Sequence, residues 1–121
     1  MPAREKKNIK TPLILENKEL VVFLNSLSPE KRKKIISHLK KNQINCLSEI
    51  ISNFLKKNLT QNKGVIKRTA KYKNDLRRVA LKNTPLKDKV KFLSSSRGAG
   101  VLSILLPVAV SLISSLLSRK K

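Results

Sequence analysis

Acidic residues are scarce in this chain. Only seven of its 121 residues are Asp or Glu, against 28 Lys and Arg, so the formal net charge at pH 7 is +21. A small protein with this charge repels itself, and it is stabilised when an anionic partner neutralises the charge. The composition therefore favours polyanions and anionic bilayers as partners.

Aromatic and sulfur side chains are also few. Phe23, Phe54, Tyr72 and Phe92 are the only aromatic residues, so aliphatic side chains must supply most of the buried surface. The single cysteine, Cys46, excludes an internal disulfide and a multi-thiolate zinc site. Its apolar neighbours in the sequence indicate a small core residue rather than a reactive thiol.

The side chains that catalysis requires are sparse as well. One histidine, one cysteine and seven scattered acids do not make a convergent set of acid, base and nucleophile. We find no glycine loop that would cradle a phosphate and no metal-ligand spacing. We therefore expect a non-enzyme with no cofactor and no metal site, and we expect His38 at the surface or at the boundary of the core.

Glycine and proline are few, and the apolar residues recur at spacings of three and four, which is typical of helices. We predict an all-α fold: a small bundle of short amphipathic helices with a C-terminal hydrophobic helix. Serine, threonine and proline signals place helix starts along the chain. The first predicted helix begins near Glu16, the second runs from Pro29 to about Lys41, and the third runs from about Asn45 to Lys56. The fourth runs from Thr60 to about Lys82, and the fifth begins after Pro85.

Composition divides the chain into five segments. They are a basic flexible arm (1–12), an N-terminal helical part (13–58), a basic helical region (59–94), a Ser/Gly linker (95–100) and a hydrophobic tail with a basic end (101–121). The basic N-terminus has no apolar run behind it, so we expect no secretory signal peptide and a location in the cytoplasm or nucleus.

The basic helical region has two faces on a helical wheel. Val65, Tyr72, Leu76, Val79 and Ala80 fall on one arc, and most of the cationic side chains lie opposite. Lysine and arginine on one face can neutralise successive phosphates without reading the base sequence. The residues predicted to contact nucleic acid are Lys63, Lys67, Arg68, Lys71, Arg77, Arg78 and Lys82. The alternative is a solvated lysine-rich surface, and the pattern does not distinguish DNA from RNA.

The tail is free of charge from Gly98 to Leu117. A helix over Val101–Leu117 spans about 25 Å, slightly less than a hydrocarbon core of about 30 Å. Three interpretations remain: insertion into a membrane, burial by self-association or against a partner, and packing on its own domain. We favour the first and rank the last lowest, because the tail is large relative to the body. The residues predicted to contact a membrane or partner are Val101, Leu102, Ile104, Leu105, Leu106, Leu112, Ile113, Leu116 and Leu117.

The second half of the chain contains an ordered pattern over about 50 residues. Its residues are Leu59-Thr60, Lys71-Tyr72-Lys73, Leu76-Arg77, Ala80, Lys82, Pro85-Leu86-Lys87, Lys89, Leu93, Gly98 to Leu102, and Leu105-Leu106-Pro107. This pattern resembles a family of small basic proteins of adintoviruses and related Polinton (Maverick) elements, and its end is similar to the precursor of adenovirus core protein X (mu). Ala99 separates the two glycines that are usually adjacent in the family.

The resemblance implies a minor virion core component that condenses and packages double-stranded DNA, found in the virion and in the host nucleus or cytoplasm. It also implies cleavage between Ala99 and Gly100 by an adenovirus-type protease, although Ser96 replaces the aliphatic residue that begins the usual site. We expect a sequence-nonspecific nucleic-acid-binding protein whose tail contacts membrane or capsid. The alternative is a tail-anchored or membrane-permeabilising viral protein.

Overall fold

A computed structural model describes residues 12–56 and 63–119 of the chain. Every regular element in these residues is helical, which confirms the predicted all-α bundle with a C-terminal apolar helix. The elements are α1 (Pro12–Glu16), α2 (Lys18–Ser26), α3 (Pro29–Ile36), α4 (Lys41–Leu55), α5 (Lys63–Thr69), a 3₁₀ turn (Ala70–Tyr72), α6 (Lys73–Ala80), α7 (Leu86–Leu93) and α8 (Ser96–Arg119).

Local capping determines where the third and fourth helices begin. Ser28 caps α3 as predicted, since its Oγ accepts the backbone N–H of Lys31 at 3.4 Å. The helix ends at Ile36, before the predicted Lys41, because the side chain of Gln43 accepts the Lys40 N–H at 2.8 Å and starts α4 there. The fourth helix is therefore longer at its N-terminus than the sequence indicated.

The predicted helix over residues 60–82 is interrupted. Its predicted cap, Thr60, lies outside the described residues. The hydroxyl of Thr69 donates to the carbonyls of Val65 and Ile66, at 3.0 and 3.1 Å, and the chain changes there from α-helix to a 3₁₀ turn. Three residues at the tighter 3₁₀ winding rotate the following helix face by about 60° relative to a continuous α-helix.

The core is almost entirely aliphatic, as the scarcity of aromatic residues predicted. Cys46 is fully buried, and burial together with the nearby Glu49 carboxylate raises the pKa of its thiol to about 12. The prediction of a small core residue is confirmed, and His38 is exposed as expected. The largest fully buried side chains are Ile14, Leu24, Ile36, Ile44, Leu47, Ile50, Ile51, Leu76, Leu93, Leu102, Leu105 and Leu106.

The C-terminal helix packs on its own domain, the interpretation that the sequence ranked lowest. Helices α2, α3 and α7 all pack against α8. The residues buried along α8 are Ala99, Val101, Leu102, Leu105, Leu106, Ala109 and Ile113. This apolar face adds Leu102, Leu105 and Leu106 to the large side chains that the short helices bury, and so completes their core.

The opposite face of α8 is polar or small. Ser103, Pro107, Ser111, Ser114 and Ser115 are exposed, and of these serines Ser103, at the edge of the face, contacts a buried side chain, that of Arg32. Pro107 lies on the exposed side of the helix, where water can satisfy the carbonyl that it leaves without an intrahelical donor. The tail is thus an amphipathic helix whose polar face consists of serine rather than of charged residues.

The predicted Ser/Gly linker is part of this helix. Ser96 begins α8, and Gly98 and Ala99 are buried. A Cβ atom on Gly98 would clash with the carbonyl oxygen of Phe92 and lie 2.8 Å from the Cα of Leu93, so the start of α8 contacts the end of α7 backbone to backbone. The glycine serves close helix packing, and the prediction of a flexible connection at 95–100 was wrong.

A buried arginine connects α8 to the N-terminal half. The guanidinium of Arg32 donates to the carbonyls of Leu24 (3.0 Å), Leu27 (2.8 Å) and Ala99 (3.2 Å) and to the hydroxyl of Ser103 (2.8 Å). These four contacts tie the end of α2 and the first turns of α8 to α3.

Candidate polyanion-binding surface

All seven cations predicted to contact nucleic acid are exposed. Helix α5 and the 3₁₀ turn carry four of them, and α6 with the residues after it carries the other three. We call this set the cationic surface, and its members are Lys63, Lys67, Arg68, Lys71, Arg77, Arg78 and Lys82.

The packing face behind this surface has the predicted residues. Val65, Leu76 and Val79 are buried, and Tyr72 and Ala80 are half-buried against the core. The helix on each side of the 3₁₀ turn has a buried face. In α5 it contains Val65, and in α6 it contains Leu76 and Val79. The cationic side chains are therefore held on ordered helices that pack against the core.

Few acids oppose the cationic surface. Residues 63–82 contain eight Lys and Arg and one acid, Asp75, whereas residues 12–56 contain eight Lys and Arg and four acids. Asp75 pairs with Arg97 at 2.8 Å, so it neutralises a residue of α8 rather than one of the surface. The excess of positive charge is therefore concentrated in the second half of the described chain.

One member of the surface has an acidic partner. The guanidinium of Arg78 lies 3.7 Å from the carboxylate of Asp88 on α7. Both side chains are well exposed, so the pair is screened by solvent and leaves Arg78 only partly neutralised. The other six cations of the surface form no ion pair within residues 12–56 and 63–119.

Tyr72 is flanked by two cations. The Lys71 ammonium lies 5.2 Å and the Arg97 guanidinium 5.4 Å from the centre of its ring. These distances are within the range of cation–π contacts. The half-buried Tyr72 of the Lys-Tyr-Lys pattern thus contacts Lys71 of the cationic surface and Arg97 of α8.

The predicted tail contacts lie largely inside the domain. Val101, Leu102, Leu105, Leu106 and Ile113 are buried in the core. Leu117 is 42% exposed. The other three are half-buried, and they are Ile104, Leu112 and Leu116. In this structure the rest of the fold covers the five buried residues, and contact of the tail with a membrane or partner stays a prediction.

The positions predicted for cleavage lie within the first turns of α8. Ala99 is buried and Gly100 is half-buried, so cleavage between them requires this helix to unwind first. Cleavage stays a prediction.

By length and composition, Ser96–Leu117 is the one helix among the described residues that could cross a membrane, with a mean hydropathy of 2.3 over its most apolar window. Mostly buried core helices pass the same criterion, whereas only a third of this window is buried inside the fold, and a single helix of this kind does not distinguish the two. The helix is therefore weak evidence for a membrane span.

A cleft between α4 and the α6–α7 connection was not predicted. It contains the nearly buried Lys89 and the buried Ser48. The sequence does contain an indication that Lys89 is buried. It lies three residues after Leu86 and four before Leu93, on the apolar face of α7. Within residues 12–56 and 63–119, no three His, Cys, Asp or Glu side chains are grouped to hold a metal ion.

Comparison with family models, with curated proteins and with solved structures finds no match to this chain.

Proposed function

We propose that this protein binds and condenses nucleic acid without sequence preference through the cationic surface. The observation that carries the proposal is the exposure of seven cations, on packed helices and in the turn after α6, in a part of the chain that has one acid in twenty residues. Lysine and arginine in this arrangement neutralise phosphates and release condensed counterions, a source of affinity that does not depend on base sequence.

Double-stranded DNA inside a virion is the proposed cargo. This part of the proposal rests on the resemblance to the small basic proteins of adintoviruses, and the charge supports DNA and RNA equally. The alternative, a tail-anchored or membrane-permeabilising protein, requires α8 to leave the core that it completes.

Salt dependence of duplex binding tests the proposal. We expect the observed affinity of the full chain to fall linearly with salt on a log–log plot, with a slope of about 0.9 per phosphate contacted. Replacing Lys67, Arg68 and Lys71 together by glutamine removes three exposed cations of the surface. The slope should then decrease by about 2 to 3, equally for duplexes of different sequence.

A second triple variant provides the matched control. Lys18, Lys31 and Lys34 are exposed on α2 and α3, so glutamine there removes the same charge from another part of the molecule. We expect this variant to keep the slope of the unmodified chain. Equal losses in the two variants would show that net charge alone determines binding, and that result would refute the cationic surface as the site.

A further inference from the structure

The cleft between α4 and the α6–α7 connection is large enough for a lipid-sized molecule. Its volume is about 1110 Å³, slightly above the range of about 300–1,000 Å³ that is usual for small-molecule sites. One wall comes from α4, and the other comes from residues 77–89, which include the connection between α6 and α7.

A nearly buried cation lines this cleft. Lys89 is 5% exposed, and its ammonium makes no hydrogen bond or ion pair with residues 12–56 or 63–119. Burial lowers the pKa of this ammonium, because the charged form loses hydration without gaining an acidic partner. An anion bound in the cleft would restore the missing interaction.

The remaining charges of the cleft also favour an anion. Among the described residues that line it, the one carboxylate is that of Glu49, which is half-buried and accepts the backbone N–H of Ile14 at 3.0 Å. Four more cations line the cleft in addition to Lys89, and they are Lys41, Lys56, Arg77 and Lys82. The cleft is therefore electropositive, and its one acid already has a backbone donor.

A polar group without a partner lies in the same wall. The Oγ of Ser48 is buried and forms no hydrogen bond within the described structure, and the residue is 7% exposed. Buried hydroxyl groups without partners are uncommon in folded proteins. A hydroxyl can rotate to donate to an anionic ligand or to a water molecule bound with it.

The apolar side chains among the described residues that line the cleft are all aliphatic. Leu81 and Leu86 line it and are 58% and 37% exposed, so two large apolar side chains face solvent at its edge. Leu13, Leu55 and Ala80 also contribute to the walls. No aromatic residue is among the described residues that line it, so there is no platform on which a nucleobase would stack.

We propose that this cleft binds an anionic amphiphile with a single aliphatic chain. The carboxylate or phosphate head contacts Lys89, and the chain covers Leu81 and Leu86. The fatty-acid and lysophospholipid classes share this chemistry. The site goes beyond nucleic-acid binding and does not depend on it.

Calorimetric titration of the full chain tests the site, with decyl phosphate and decanoate used below their critical micelle concentrations. We expect one molecule of either amphiphile to bind per chain. Inorganic phosphate, decyl maltoside and adenosine monophosphate should each bind at least about tenfold more weakly, because they lack the chain, the charge and the aliphatic body, respectively. Comparison of the two amphiphiles shows whether the cleft prefers a phosphate or a carboxylate head.

Two pairs of variants distinguish binding in the cleft from binding that depends only on the net positive charge of the protein. Lys89→Met should weaken binding of the amphiphiles by at least about tenfold, and Lys91→Met, on the exposed side of the same helix, by less than about twofold. Leu81→Ser should weaken it, and Leu117→Ser, at an exposed position in α8, should not. Because Leu81 is exposed, its variant is expected to fold even if the Lys89 variant does not.

Several results would overturn this proposal. They are equal affinity in Lys89→Met and Lys91→Met, no effect of Leu81→Ser, inorganic phosphate or adenosine monophosphate binding as tightly as decyl phosphate, or no binding of either amphiphile. Duplex affinity should be the same in Lys89→Met as in the unmodified chain, so failure of the amphiphile site is distinguishable from failure of nucleic-acid binding.

Discussion

The guanidinium of Arg32 joins parts of the chain that are 67 residues apart, since it donates to the carbonyl of Ala99 at 3.2 Å. Its other acceptors are two carbonyls at the end of α2 and the hydroxyl of Ser103. All four acceptors are neutral. The N–H donors of the planar guanidinium are therefore satisfied by hydrogen bonds to neutral oxygens rather than by an acidic counter-ion.

Arg32→Lys keeps the positive charge but replaces the planar guanidinium by an ammonium. An ammonium cannot reach acceptors on both α2 and α8 in the same geometry, so we expect the free energy of unfolding to fall by about 2 kcal/mol. Urea denaturation followed by circular dichroism measures this. Arg68→Lys, at an exposed position, is the control and should change stability by less than about 0.5 kcal/mol. Equal stability of the two variants would contradict the role of Arg32.

The two glycines of α8 make an internal comparison. A Cβ atom at Gly98 meets backbone atoms of α7, which cannot move aside, whereas a Cβ atom at Gly100 lies 3.8 Å from the Tyr72 hydroxyl, an ordinary contact. We expect Gly98→Ala to destabilise the protein by about 3 kcal/mol and Gly100→Ala to stabilise it by about 0.5 to 1 kcal/mol. The shift of the thermal midpoint measures both. A Gly98→Ala variant as stable as the original chain would show that α7 and α8 are not in close backbone contact.

Residue properties that depend on nearby sequence were predictable, and those that depend on distant contacts were not. The burial of Cys46 follows from its apolar neighbours along the same helix. The burial of Arg32 and the need for glycine at position 98 arise only when helices distant in sequence are packed together. Nothing in the local pattern around these two residues indicates that contact.

At the scale of elements, α8 is a core helix whose composition resembles that of a membrane span. Apart from Arg97 and Leu117, its exposed residues over Ser96–Leu117 are serine and proline, so average hydropathy does not reveal its two faces. The spacing does reveal them, because Val101, Leu102, Leu105 and Leu106 recur at helical intervals on the side opposite Ser103.

Leu105→Ala tests the position of this helix. The side chain is fully buried, so its truncation should reduce the free energy of unfolding by about 3 kcal/mol. Leu117→Ala removes the same atoms from a position that is 42% exposed, and it should change stability by less than about 0.5 kcal/mol. Chemical denaturation of both variants measures the difference. Equal and small effects would mean that α8 does not complete the core.

Helix starts were more predictable than helix continuity. Ser28-Pro29 and Pro85 mark the starts of α3 and α7, because capping and proline signals act within a few residues. The interruption at Ala70–Tyr72 coincides with the two carbonyl contacts of the Thr69 hydroxyl. A threonine in a helical pattern is common, so its sequence alone did not predict the break.

At the scale of the whole molecule, most charged side chains lie outside the core, with Arg32 and Lys89 as buried exceptions. Apolar faces of α2, α3, α4, α6, α7 and α8 contribute to one core, while the cationic residues of α5 and α6 face solvent. The exposure of six of the seven cations, all but Arg77, was predictable from the helical wheel, because charged residues opposite an apolar arc face solvent. The partial pairing of Arg78 with Asp88 was not, since it depends on how α7 packs beside α6.

Nuclear magnetic resonance of the isotope-labelled full chain, titrated with a short duplex, most directly tests whether phosphates bind at this surface. The largest changes in backbone amide shifts should fall within residues 63–82, where eight cations accompany one acid. They should disappear at high salt, because the contacts are to phosphates. Shift changes spread evenly over the described helices, or largest in α1 to α3, would contradict the proposed surface.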